Sequence, residues 1–293
     1  MGVTLRQLQE SKATGPASTA VEEATRAISE KVDVLGLSIS SLGFEQTLDR
    51  LVFAPQRGER LSVHFCALHT LVEASKDIEL RHALNQAGIV APDGAPLLWL
   101  GRSQGRRLQR VSGPDTMLAL IRRTLPAGAR HFFYGSTTDV LAALVKSLET
   151  RLPGVQIAGT LSPPFRPLTD AESESVAATI NAAAPDYVWV GLGSPKQDRW
   201  LAQFRPLLDA PALLAVGAAF DFLSGRVRRA PPWAQRAGLE WTFRILSEPR
   251  RLTGRYALAA GRLAFLLATD RLQRLRARPG AATYIFTSDE PEA

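Results

Sequence analysis

Short apolar runs alternate with amphipathic stretches along most of the chain. Runs at 32–38 (VDVLGLS), 61–66 (LSVHFC), 88–91 (GIVA), 131–134 (HFFY), 155–160, 187–191 (YVWVG) and 213–217 (LLAVG) read as strands. They are short, rich in branched and aromatic residues, and bounded by Gly, Pro or Asp. Between them, 43–53, 68–85, 117–124, 139–151, 170–184 and 197–208 place apolar residues at helical spacing. Such alternation indicates βαβ units, hence an α/β fold: a Rossmann-like, open, mostly parallel sheet with helices on both faces. After Pro232 the pattern turns helical and basic without further strands. We therefore expect a core over 31–232, a helical, arginine-rich appendage over 233–278, and flexible tails at 1–30 and 279–293.

Composition narrows the class. Hydrophobic residues at 45% and charged residues at 22% give a 293-residue chain the means to bury a large core. The single cysteine, Cys66, excludes an internal disulfide and fits a reducing compartment, and four histidines leave little for structural zinc. No signal-peptide core and no run long enough to span a bilayer is visible, so a cytoplasmic location is expected, with a peripheral place on the membrane left open.

Charge adds a partner. Residues 226–278 hold thirteen arginines, no lysine and three acids, about +10 in one segment of a chain whose net charge is +7. That asymmetry points to phosphates of a ligand, an anionic membrane surface or nucleic acid. A merely solvated basic face is the alternative.

Four loops follow strands in the positions where an open α/β sheet binds ligands. In Gly191-Leu192-Gly193-Ser194-Pro195-Lys196-Gln197-Asp198, Ser194 suits a helix N-cap, Pro195 the first helical position, and Gln197 completes a capping box. Gly191 and Gly193 let the backbone approach a ligand, the free amides favour a diphosphate, and Lys196 adds a charge. Tyr134-Gly135-Ser136-Thr137 is a second strand-to-helix turn, and two such loops together indicate a nucleotide. Ordinary capping accounts for either alone. Asp93 and Gly94, after strand 88–91, place a carboxylate for proton transfer or for holding a sugar hydroxyl, although Asp-Gly is also a common turn pair. In 217–226, Asp221 either contacts a ligand or ties down nearby arginines. No D-x-D occurs, so arginines and helix N-termini, with no metal and no cofactor, are expected to stabilise a leaving diphosphate.

Taken in order, these loops resemble the WecG/TagA/CpsF family, glycosyltransferase family 26. The family run V-G-L-G-x-P-K-Q-[ED] is matched at 190–198, V-G-x-x-F-D-x-x-x-G-x-x-x-R-A-P at 216–231, and G-L-E-W-x-x-R-x-x-x-E-P-R-R at 238–251. P-D-G recurs at 92–94 and V-x-G-x-D-x-M at 111–117, so the likeness covers about 33–256. The resemblance implies an inverting, metal-independent transfer of a hexose, N-acetylhexosamine or uronic acid from a UDP-sugar. The implied acceptor is a polyprenyl-diphosphate-linked saccharide at the inner face of the cytoplasmic membrane. Asp93 is then the base on the acceptor hydroxyl. Gly94, Gly135, Ser136, Gly191, Gly193, Lys196, Gln197 and Asp221 contact the donor. Arg229, Arg244, Arg250 and Arg251 neutralise diphosphate on UDP or on the acceptor. The family's polar pair after the second strand departs here: its Asn position is Ala67, leaving His69 as a polar contact, with a capping or buried role equally open.

Residues 256–275 mix Leu258, Leu263, Phe265, Leu266 and Leu267 with arginines, the composition of a basic amphipathic helix on an anionic membrane surface. Packing on the domain, or within a homo-oligomer, is the alternative. Two rival classes fit less well. A nucleotide-dependent oxidoreductase needs the full glycine fingerprint followed by an acidic residue, which is missing. A nucleic-acid-binding protein needs a recognised motif, so no nucleic acid is expected as partner.

Overall fold

The computed structural model describes residues 31–236, 240–247 and 249–276; the tails expected at 1–30 and 279–293 lie outside them. The first apolar run is not one strand. It folds as a hairpin of β1 (Lys31–Val34) and β2 (Leu37–Ser40), because Leu35 and Gly36 both take positive φ and turn the chain in two residues. The hairpin stands apart from the main sheet and covers its edge. Val90 N–H donates to Ser40 Oγ at 3.0 Å, and the Asn85 side chain bonds Gly36 and Ser38.

The main sheet holds β3 (Leu61–Cys66), β4 (Ile89–Pro92), β5 (Arg130–Gly135), β6 (Gln156–Leu161), β7 (Tyr187–Gly191) and β8 (Ala212–Ala215). Their order is β4-β3-β8-β7-β5-β6 and every pairing is parallel. The expected α/β class is therefore what forms, and the all-apolar strands β7 and β8 lie inside the sheet, buried on both faces.

One face is covered by α1 (Phe44–Phe53), α5 (Gly113–Thr124), α6 (Thr138–Arg151) and α9 (Ala219–Leu223). The other carries two separate apolar clusters. Beside β4, Leu71, Leu80, Leu84, Leu97 and Leu100 come from α2 (Leu68–Ala74), α3 (Ile78–Gln86) and α4 (Ala95–Ser103). Beside β7, Val176, Ile180, Trp200, Leu201 and Phe204 come from α7 (Asp170–Ala182) and α8 (Lys196–Phe204).

Two helical expectations change. The single helix expected over 68–85 breaks at Asp77, whose side chain caps α3 by accepting from Leu80 N–H at 2.9 Å. Helix α4 was not anticipated at all, because its apolar sequence APLLWLGRS follows a turn signal and lacks a polar stripe.

After α9 come α10 (Pro232–Arg236), α11 (Glu240–Ser247) and α12 (Pro249–Arg276). Helix α12, about 42 Å long at 1.5 Å per residue, buries Ala259 and packs Leu263 onto the β4-side cluster. It leaves Leu258, Phe265 and Leu267 exposed. Among the described residues no helix is long and apolar enough to cross a membrane.

Candidate active site

The carboxyl ends of the strands open onto a trough. From β5 the chain continues to β6 on one side, and from β7 to β8 on the other, so the sheet order diverges between β5 and β7. A crevice at such a divergence is where open α/β sheets take ligands. Its walls are the loops after β5 and β7, in which Gly135 and Gly191 are direct register partners. A Cβ on Gly135 would lie 2.7 Å from the Gly191 carbonyl, and Gly135 has φ +121. A Cβ on Gly191 would strike the Phe220 ring. Both glycines are thus required by close approach. Gly135→Ala should lose at least about 2 kcal/mol of stability, read from the urea midpoint. Unchanged stability would mean that the two loops separate freely.

Ser136 continues the first loop at φ +58, and its carbonyl accepts from Ser162 Oγ at 2.7 Å. Thr137 then caps α6 by accepting from Val140 N–H. In the second loop the expected capping box does not form. Ser194 Oγ lies 3.1 Å from Thr70 Oγ1, and Pro195, not Ser194, occupies the cap of α8. Gln197 is buried; its Oε1 accepts from Gly193 N–H and its Nε2 donates to the Ala215 carbonyl. It therefore ties the β7 loop to the end of β8 and shapes the crevice from beneath. Lys196 is exposed at the first position of α8.

His64 of β3 and Asp198 of α8 form a buried pair, Nδ1 to Oδ1 at 2.8 Å. Asp198 Oδ2 is buried without a hydrogen-bond partner. Between β3 and β4, Cys66 is fully enclosed, and burial pushes its thiol far up in pKa, so it stays protonated and is no nucleophile. Ala67, in the family's Asn position, is the N-cap of α2 and supplies no capping side chain. His69 lies half-buried in the first turn of that helix.

At the far end stands Asp93. It directly follows β4, with its N–H bonded to the Cys66 carbonyl at 2.8 Å, and Gly94 after it takes φ +116 to start α4. By strand spacing, Asp93 is about 19 Å from the Gly135 end of the trough. Beside it lies a cleft of about 720 Å³ lined in part by Trp99, Arg102, Arg110, Ser112, Asp115 and Arg229.

The charges here alternate. Arg110 Nε is 3.6 Å from Asp93, and Arg110 Nη2 binds Glu240 of α11. Glu240 also meets Arg229 at 3.2 Å, and Arg229 grips Asp115 with two hydrogen bonds and reaches Ser112. Burial pushes Asp93 up to about 6; Arg110 and Arg229 oppose it, while Glu240 and Asp115 add to it. Burial would also raise Asp115, but its hydrogen bonds from Arg229 and Ser112 outweigh that and hold it low. Three acids and two arginines leave one negative charge in excess, and Asp93, with the weakest partner, is where a proton most readily settles.

Within this network Arg229, one of the expected diphosphate contacts, already binds Asp115, Ser112 and Glu240. Asp221 begins in the first turn of α9, its carbonyl accepting from Val227 N–H and Ser224 Oγ. Arg244, Arg250 and Arg251 fall within α11 and α12, but their side chains lie outside the described residues. Among the described residues no group of three His, Cys, Asp or Glu is placed to hold a metal ion. Arg110, Asp115 and Glu240 were missed by sequence reasoning. Asp115 sits in the V-x-G-x-D block and was open to it, whereas the Arg110–Glu240 contact spans 130 positions and left no local signal.

The model of the glycosyl transferase WecG/TagA/CpsF family matches residues 32–277. A protein of Bacillus spizizenii (strain ATCC 23059 / NRRL B-14472 / W23) is 32% identical over 180 residues, covering 61% of this chain and 68% of its own. One from Bacillus subtilis (strain 168) is 32% identical over 179 residues with the same coverage. A third, from Staphylococcus aureus (strain MW2), is 25% identical over 235 residues, covering 79% of this chain and 90% of its own. All three are named N-acetylglucosaminyldiphosphoundecaprenol N-acetyl-beta-D-mannosaminyltransferase.

Proposed function

We infer the reaction from a membership that is itself plain: this chain belongs to the glycosyl transferase WecG/TagA/CpsF family and is an enzyme, a glycosyltransferase. We propose that it moves one sugar from a UDP-sugar to a polyprenyl-diphosphate-linked saccharide, with inversion and without a metal. Its relatives' names favour an N-acetylhexosamine over a hexose or a uronic acid as the sugar moved. The observation that carries this reading is Asp93: a carboxylate at a strand's carboxyl end, beside a cleft, with a pKa of about 6. A base poised near the working pH is effective because it is largely ionised yet still holds a proton well.

In this reading the UDP moiety lies across the loops after β5 and β7. The N-termini of α6 and α8 point free amides at its phosphates, with Lys196 beside them. The acceptor saccharide lies at the Asp93 end. Asp93 takes the proton of the acceptor hydroxyl as that oxygen attacks the anomeric carbon. The bond from that carbon to the UDP oxygen breaks on the opposite face, and UDP leaves with the electron pair. Inversion follows from the in-line geometry. The exposed Leu258, Phe265 and Leu267 of α12 suit contact with the inner face of the cytoplasmic membrane, where the acceptor's lipid resides.

The test is UDP release from a panel of UDP-sugars with a short-chain polyprenyl-diphosphate saccharide, with and without EDTA. We expect acceptor-dependent turnover that EDTA leaves intact, and a product of inverted anomeric configuration by NMR. Turnover abolished by EDTA and restored by Mg²⁺ or Mn²⁺ would overturn the metal-free route.

A further inference from the structure

Among the described residues three arginines line the cleft beside Asp93, and they differ in what they already touch. Arg229 is held by Asp115, Ser112 and Glu240. Arg110 is held by Glu240 and approaches Asp93. Arg102, in the last turn of α4, lines the same cleft, is exposed, and has no acidic partner among the described residues. A guanidinium set between carboxylates projects little net charge, whereas an unpaired one offers its full charge and a planar pair of donors to a phosphate.

The surroundings of Arg102 fit a lipid diphosphate. Trp99, three residues earlier on α4, lines the cleft too and keeps 58% of its surface exposed. Arg106 and Arg107, on the loop after α4, are exposed and extend the basic surface. An aromatic ring with a polar edge beside arginines is the pairing found where a protein meets the membrane–water boundary.

We propose that Arg102 grips the diphosphate of the acceptor, with Trp99 against the first units of its polyprenyl chain. This rests on the reading that Asp93 receives the proton of the acceptor hydroxyl. The acceptor's sugar then fills the cleft with its reacting hydroxyl toward Asp93. Its diphosphate hangs from the anomeric carbon across the ring, toward the cleft mouth. Arg102, the unpaired cation of the cleft among the described residues, is what awaits it there. Sequence reasoning placed the diphosphate contacts, on UDP or on the acceptor, at Arg229, Arg244, Arg250 and Arg251; Arg102 adds one on a helix that reasoning did not anticipate.

The experiment compares wild type, Arg102→Ala, Arg102→Lys and, as a charge control on the distant helix α6, Arg151→Ala. Initial rates are measured with a short-chain, water-soluble polyprenyl-diphosphate N-acetylglucosamine. We expect Arg102→Ala to raise the acceptor KM by about 10–100-fold, the scale of a lost charge-assisted contact. The UDP-sugar KM and kcat at saturation should stay near wild type, with Arg102→Lys intermediate and Arg151→Ala unchanged. Trp99→Ala should raise the KM of a long-chain acceptor in vesicles more than that of the short-chain one.

Three results would overturn the assignment. One is an unaltered acceptor KM in Arg102→Ala. Another is a rise confined to the donor KM. The third is loss of co-sedimentation with acceptor-free phosphatidylglycerol vesicles while the soluble acceptor's KM is unchanged, which would make Arg102 a headgroup contact only. Wild type inactive with every donor would instead sink the reading of the site. Calorimetric binding of the short-chain diphosphate lipid to wild type and Arg102→Ala then still decides the role of Arg102.

Discussion

Asp93→Asn should lower kcat/KM by about 10²–10⁴-fold, the usual contribution of a positioned general base, while leaving donor binding intact. In wild type, kcat/KM should fall as pH drops below about 6, because the carboxyl is pushed up to that value and only its ionised form accepts a proton. The residual activity of the variant should show no such limb. Stability should move the other way. Because its folded-state pKa is raised, Asp93 favours the fold most below the unfolded value, near 4, and that contribution is lost as pH rises through about 6. By pH 8 the ionised, largely buried carboxylate withholds roughly 2–3 kcal/mol from the folded state, an upper value since 26% of the side chain is exposed. The variant should therefore melt higher than wild type at pH 8 and show no such advantage at pH 4.5. A variant that is inactive and also less stable at pH 8 would mean that Asp93 holds the structure together rather than serving the reaction.

Arg229→Ala should be strongly destabilising. It strips Asp115 and Glu240 of their shared cation and leaves two carboxylates facing each other across the space it filled. Removing one partner of a buried ion pair costs about 3–5 kcal/mol; with Arg229 20% exposed and Asp115 44% exposed, about 2–4 kcal/mol is expected here. Urea denaturation would measure it. Asp115, now held low by Arg229, should titrate higher in the variant. Activity should fall as well, because Glu240 then rests on Arg110 alone and α11 loses an anchor to the cleft wall. Arg229→Lys should recover only part of the loss, since a single ammonium cannot reproduce the two-point grip on Asp115. A loss under about 1 kcal/mol would class the network with solvated surface pairs.

The sheet was legible in the sequence because its strands are buried on both faces. YVWVG and LLAVG have no polar position to confuse the period, and both lie inside the sheet. Misreadings arose where a turn was hidden inside an apolar run. Leu35-Gly36 reverses the chain within VDVLGLS, and Asp77 interrupts a stretch that otherwise keeps helical spacing. At the site, the Gly-rich loops were visible from composition, but their internal bonding was not. Ser194 and Gln197 look like a capping box, yet Thr70 and Ala215, brought in by the fold, occupy them instead. The same holds for charge. Counting arginines located the basic segment, but whether Arg229 is free or already bound depends on Asp115, 114 residues away.

The two clusters on one face of the sheet bear on how this enzyme can change. Asp93 and the cleft beside it are supported by the cluster holding Leu71, Leu84 and Leu97, while the β7 loop rests on Trp200, Leu201 and Phe204. Substitutions in groups that share no neighbours tend to add in free energy, without epistasis. On the proposed reading of the site, donor and acceptor preference would then drift under selection largely as separate traits. The two meet where Gln197, Asp198 and His64 lie, where Ser194 faces Thr70 and where Arg199 binds Asp77, and a mutation there made for one substrate would be felt by both.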